Sequence, residues 1–191
     1  MPAPPLPAAV APAPGKAAPS AAPPPSTPQK VAALLDQHDY KAAVALLEAG
    51  HGPTAARSGQ TGKLYARALV GRAGELMKAS PDQAQALLRK AVAADPDNAN
   101  AHLQLGNVYM RAKDYPQAID HYQKAAQLDP RSAEAPFNLG YIYASTGQYA
   151  SAEQMLVRAV DLKPAWLDKA LFNLAVVRQV SDRIWLVSFM D

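Results

Sequence analysis

The chain has no cysteine among its 191 residues, which excludes disulfides, thiolate zinc sites and a cysteine nucleophile. Neither sign of charge is abundant: 19 Lys and Arg against 16 Asp and Glu leave a formal net charge of +3. The cations are spread out, without the basic run or aromatic–basic interleaving of a nucleic-acid footprint. Apolar runs are short as well. None reaches the roughly 18 residues that predict a membrane span. The N-terminus has no basic region followed by an apolar core, so no secretory leader is expected. The four histidines, His38, His51, His102 and His121, share no ligand spacing such as i, i+4 on a helix, and each is expected at the surface. No Gly-rich phosphate loop, nucleophile elbow or paired-carboxylate motif occurs. The sequence therefore predicts no catalytic residue, no metal ligand and no cofactor.

What the chain does have is a repeat. Leu105-Gly106-x-x-Tyr109 returns as Leu139-Gly140-x-x-Tyr143, 34 residues later. Tyr115 returns as Tyr149, Ala118 as Ala152, Ala125 as Ala159 and Pro130 as Pro164, all at the same spacing. A fixed period of this size marks a solenoid whose unit is one supersecondary element. Leu105, Val108 and Tyr109 fall on one stripe of a first helix. Ala118, Ile119, Tyr122 and Ala125 fall on one stripe of a second. Gly106 and Ala118 are small where the two helices are expected to cross, and Tyr109 and Tyr122 are expected to fill the space beside them. Ala112-Lys113-Asp114 turns the chain. Asp114 is placed to cap the second helix, with Pro116 in its first turn, and Asp129-Pro130 stops it.

This pattern resembles the tetratricopeptide repeat, whose signature is a large residue, Leu-Gly, Tyr, then Ala, a large apolar residue, Ala and Pro at set offsets. The resemblance implies an all-α, right-handed solenoid of antiparallel helix pairs, in which the first helix of each pair lines a concave face. It assigns Asn100, Leu103, Asn107 and Met110 to that face in one repeat, and Glu134, Phe137, Tyr141 and Ala144 in the next. Some members of the family hold a partner's terminal carboxylate with two Asn, two Lys and an Arg. Asn107 and Asn138 match the Asn positions. The first Lys position is Leu103, the second falls on Asp168 or Lys169, and the Arg position becomes Phe172 or Asn173. Two amides cannot balance a carboxylate, so such a clamp is not expected.

The remaining segments follow from composition and register. Residues 1–28 hold 11 of the 18 prolines, nine alanines and the single charge of Lys16, and read as a disordered Pro/Ala-rich linker. Residues 29–50 read as a degenerate repeat, in which Asp39-Tyr40-Lys41-x-Ala43-Val44 echoes Asp114-Tyr115-Pro116-x-Ala118-Ile119. Gly50-His51-Gly52-Pro53 is expected to end its second helix, with a loop running to Lys63. Repeats are expected at 65–98, 99–132 and 133–166. In the first of these, Gly71-Arg72 stand where Leu-Gly belong, which leaves its first helix without its usual packing. Residues 167–191 read as one more first helix or a capping helix, in which Phe172-Asn173-Leu174-Ala175 echoes Phe137-Asn138-Leu139-Gly140 at a displacement of 35, and an apolar tail, Ile184–Met190, expected to fold back as the stub of a second helix or to seek a partner. Its Ile, Trp, Val and Phe also give it strand character.

Amides set among apolar and aromatic side chains suit an extended peptide, because an amide both donates to and accepts from a backbone. The expected function is a non-catalytic protein–protein interaction module that takes a partner protein or peptide in the concave groove. The alternative is a structural scaffold that forms a homo-oligomer through its ends, notably the C-terminal tail. Neither nucleic acid nor membrane insertion is expected of either.

Overall fold

The computed structural model describes residues 26–55 and 59–188, and the side chains of 26–49 and 59–183. Most of the expected linker, residues 1–25, lies outside the described residues, as do Phe189 and Met190 of the tail. Among the described residues there are nine helices and no strand. They are α1 (Thr27–Asp36), α2 (Tyr40–Ala55), α3 (Gly59–Leu76), α4 (Pro81–Ala94), α5 (Ala99–Arg111), α6 (Tyr115–Leu128), α7 (Glu134–Ser145), α8 (Tyr149–Asp161) and α9 (Leu167–Ser188). None of them is long and apolar enough to cross a membrane.

Local chemistry sets the helix ends. Asn98 accepts the Ala101 N–H at 2.9 Å and Asp39 the Ala42 N–H at 3.0 Å. Asp114 accepts the Gln117 N–H at 3.4 Å. Each thereby satisfies one of the orphan donors of a first turn. Pro81 and Pro116 occupy first turns, where a missing N–H costs little. Helix α1 starts at Thr27, two residues before the apolar pattern suggests. Gln29 makes the difference: its Oε1 accepts the Ser26 N–H at 2.8 Å, and Pro28 sits in the first turn.

Each helix packs on the next, and α1, α3, α5, α7 and α9 also touch in succession. The odd-numbered helices thus form one layer and the even-numbered helices the other, which is the build of an all-α solenoid. The core is a seam between the layers. Gly106 lets α5 approach α6 so closely that a Cβ there would lie 2.6 Å from the Tyr122 ring. A Cβ on Gly140 would lie 2.6 Å from Leu156 Cγ. Tyr122 and Leu156 are both fully buried. Tyr109 and Tyr143 are half-buried, and each bridges two stretches of this seam. The Tyr109 hydroxyl accepts from Arg89 Nη2 at 3.0 Å and the Tyr143 hydroxyl from Gln123 Nε2 at 3.4 Å. Both bonds tie the second helix of one repeat to the first helix of the next.

Three expectations are corrected. The first is the loop after Gly50: α2 runs on to Ala55 and α3 begins at Gly59. Pro53 forfeits a single backbone bond, which a helix already nucleated upstream can lose and continue. The second concerns the apolar tail. Its backbone from Ile184 to Ser188 continues α9 in one helix, neither folding back nor forming a strand. No glycine or proline interrupts the chain between Leu167 and Ser188.

The third concerns His102, which is 8% exposed and bonded to His121 rather than facing water. Both histidines sit where α5 and α6 face each other, a relation that spacing along one helix does not reveal. The position of Gly71 also finds its reason. Tyr40 at the start of α2 lays its ring against the Gly71 backbone, in the space a leucine side chain would need. Farther along the same pair, Tyr65 donates its hydroxyl to Glu48 Oε1 at 2.8 Å. Burial first, then the bond and charge of Glu48, push the Tyr65 phenol up to about 12.

Candidate functional site

The residues assigned to the concave face do not behave alike. Asn100, Glu134 and Tyr141 are exposed, and Phe137 and Asn138 are half-buried. Leu103 is 8% exposed and belongs to the core with Ala125 and Ala135, so it forms the floor of the face rather than projecting from it. Asn100, Leu103 and Glu134 together line a cleft of about 160 Å³ where α5 meets α7. Met110 is half-buried, its Sδ 3.6 Å from the Tyr122 hydroxyl.

The two asparagines are engaged within the protein. Asn107 Oδ1 accepts from the Tyr122 hydroxyl at 2.7 Å and from Asn138 Nδ2 at 3.3 Å, while Asn107 Nδ2 donates to Gln104 Oε1 at 3.3 Å. Asn107 therefore has little capacity left for a ligand. Asn138 keeps its carbonyl: among the described residues, nothing donates to its Oδ1. Burial drives the Tyr122 phenol well above its ordinary range, so the hydroxyl stays protonated and remains a donor to Asn107.

Two exposed apolar residues of α9 join these candidates: Phe172, which sequence reasoning matched, as a binding residue, only to the Arg position of a clamp, and Val176, which it did not name. Phe172 is 68% exposed and Val176 42% exposed. They stand 35 residues after Phe137 and Tyr141, on a helix that packs against α7. The echo of Phe137-Asn138-Leu139 in Phe172-Asn173-Leu174 carries that signal, displaced by one residue from the 34-residue register. Tyr141, 53% exposed, adds to them. Phe137 is packed edge-on against Trp166, ring centroids 4.8 Å apart, which holds its ring in place. The amide, aromatic and aliphatic groups thus lie on one layer of helices. Among the described residues, no group of three or more His, Asp or Glu side chains could hold a metal ion.

This arrangement can be set beside known proteins. Residues 97–165 match the family model of the tetratricopeptide repeat. Over that stretch the chain is similar to tetratricopeptide repeats. No curated protein matches it. Among solved structures, MamA AMB-1 is similar at 22% identity and a TM-score of 0.60, over 82% of this chain and 81% of that one. The first tetratricopeptide-repeat domain of Spaghetti (RPAP3), bound to an HSP90 peptide, is similar at 21% identity and a TM-score of 0.59. That match covers 63% of this chain and 95% of that one. The Yersinia enterocolitica type III secretion chaperone SycD, in complex with a peptide of the translocator YopD, is 21% identical with a TM-score of 0.56. It covers 59% of this chain and 92% of that one. At these identities the likeness is one of fold.

Proposed function

We propose that the chain is a non-catalytic protein-interaction module, and that the face formed by α5, α7 and α9 takes an extended segment of a partner protein. The observation that carries this reading is the exposure of Tyr141 on α7 and of Phe172 and Val176 on α9, together with the open carbonyl of Asn138 on α7. Large apolar side chains left in water on a well-packed scaffold are the usual mark of a contact surface. The Asn138 carbonyl offers an acceptor for a backbone N–H of the incoming chain. Asn100 and Glu134 edge the cleft at the start of α5 and α7. Asn107 acts behind the surface by orienting Asn138, and Leu103 and Met110 support it from the core. Two similar structures hold peptides, of HSP90 and of YopD, which supports the same kind of use here.

The test begins with selection of binding peptides from a displayed random library on the full chain. The affinity of a selected peptide is then measured for wild type, Tyr141→Ser, Phe172→Ser and Asn138→Ala, with melting temperatures alongside. Loss of ten-fold or more in Phe172→Ser and Tyr141→Ser, with melting unchanged, supports the reading. Affinities equal to wild type in both exclude this face.

A further inference from the structure

A cluster at the centre of the solenoid plays no part in the groove. His102 on α5 is nearly enclosed, with its Nε2 3.1 Å from the carbonyl oxygen of Pro96 in the turn between α4 and α5. A carbonyl only accepts, so Nε2 carries a proton and the neutral His102 ring offers Nδ1 as an acceptor. That atom lies 3.0 Å from Nδ1 of His121 on α6, so the proton between the rings belongs to His121. His121 stacks on Tyr109 of α5, centroids 5.4 Å apart and 11° between planes. Arg89 of α4 donates to the Tyr109 hydroxyl at 3.0 Å. The contacts run from α4 through α5 and α6 and back to the α4–α5 turn.

We propose that the His102–His121 pair is a proton-operated joint between the two helices of the α5–α6 repeat, closed while the rings share one N–H and opened when both are cationic.

The proton count sets the order of events. The neutral pair carries two N–H groups, one donated to Pro96 and one to His102. The next proton enters at Nε2 of His121 and leaves the bond between the rings intact, now charge-assisted. Only a further proton, on Nδ1 of His102, sets two donors and two positive charges face to face, and the bond breaks. His102 is held by Pro96, so His121 is the ring that leaves, and its departure unstacks Tyr109. Other charges around the pair are balanced. Arg89 faces it from α4, Asp97 from the turn, and Asp120 and Lys124 from α6, while α5 contributes the uncharged Tyr109. Burial is the largest influence and holds both rings below the ordinary histidine range. Since the second proton meets the charge of the first, the two steps separate. On the function proposed above, opening the joint also loosens α5, which carries Asn100 and Asn107, from α6.

Paired spin labels on the full chain test this directly. The absence of native cysteine allows unique labels through Asn100→Cys on α5 and Gln117→Cys on α6, both exposed. Label distances and the imidazole proton signals are followed together from about pH 7.5 downward, past the ordinary histidine value, until both rings have titrated. The expected distance distribution holds through the first proton, then shifts and broadens with the second, and recovers on neutralisation. His121→Gln cannot charge and keeps its neutral-pH distribution throughout; His102→Asn serves the same purpose if the first variant does not fold. An unchanged wild-type distribution once both rings are charged overturns the proposal. So does a shift that survives in the variants.

Discussion

Asn138 Nδ2 donates to the same Asn107 oxygen that accepts the Tyr122 hydroxyl, at 3.3 and 2.7 Å. One carbonyl thus serves the core behind it and the surface beside it. The two asparagines, 31 residues apart, have unequal roles.

Asn107→Ala leaves the fully buried Tyr122 hydroxyl with only Met110 Sδ at 3.6 Å, a weak acceptor. The expected loss is ~1–3 kcal/mol in urea unfolding, the cost of an unsatisfied buried donor. Asn138→Ala removes one bond from a half-buried group and costs ~0.5–1.5 kcal/mol. Adding Tyr122→Phe to Asn107→Ala recovers part of the first loss. Equal losses in the two single variants contradict the shared-acceptor geometry.

Glycines along the layers separate by what a methyl group meets. Gly106→Ala and Gly140→Ala drive a Cβ into Tyr122 and Leu156, and overpacking of this kind costs ~1–3 kcal/mol. Gly74→Ala adds a methyl on α3 with nothing within 4 Å, and gains ~0.5–1 kcal/mol of helix propensity. Calorimetric melting that shows Gly74→Ala less stable than wild type counts against this packing.

The turns inside the helix pairs place His38, Lys113 and Gly147 at φ of 59°, 61° and 76°. Lys113 and Gly147 are equivalent in the 34-residue register. A side chain in this left-handed region costs ~1–2 kcal/mol, part of which a glycine returns as unfolded-state entropy. Lys113→Gly is expected to raise stability by about 0.5–1 kcal/mol and Gly147→Ala to lower it by about as much. A thermal melt that ranks Lys113→Gly below wild type refutes the assignment.

Stability should fall on mild acidification. Burial lowers both His102 and His121, so the native state binds fewer protons than the unfolded chain just below the ordinary histidine value. The contribution is complete above about pH 6.5 and is lost progressively below it, at no more than about 1.4 kcal/mol per pH unit for each ring. In His121→Gln the slope is smaller. Equal slopes in wild type and variant, measured by urea unfolding from about pH 7 to 5.5, dissociate the pair from the effect.

The 34-residue recurrence of Leu-Gly-x-x-Tyr, Ala and Pro was enough to read the helix pairs and their close crossings, because those residues act through neighbours on their own pair. Gly106, Gly140 and Asp114 stand in the roles their spacing implies. Contacts without a counterpart in the neighbouring repeat were hidden. The Tyr40 ring over Gly71 joins residues 31 apart outside the register, and the His102–His121 bond depends on how α5 faces α6. On the groove, the resemblance to the tetratricopeptide repeat implied Leu103, Asn107 and Met110 as presenting groups. The fold commits Leu103 to the core and engages Asn107 and Met110 around Tyr122. Phe172 was weighed only against a charged clamp position and Val176 not at all, and their exposure on α9 became visible only in the fold.

The close crossing at Gly106 ends on a phenol, and the one at Gly140 on a leucine. Four residues are therefore matched in two couples. Tyr122 needs an oxygen in front of it and has Asn107, whereas Leu156 needs none, and Tyr141 at the corresponding place is free to turn to solvent. The two repeats share a backbone plan, yet they are not interchangeable parts. A chimera that put Tyr in place of Leu156 would strand a hydroxyl behind Tyr141, and one that put Leu in place of Tyr122 would release Asn107 to the surface. What this solenoid shows to the outside at each step is dictated by the side chain hidden one layer behind.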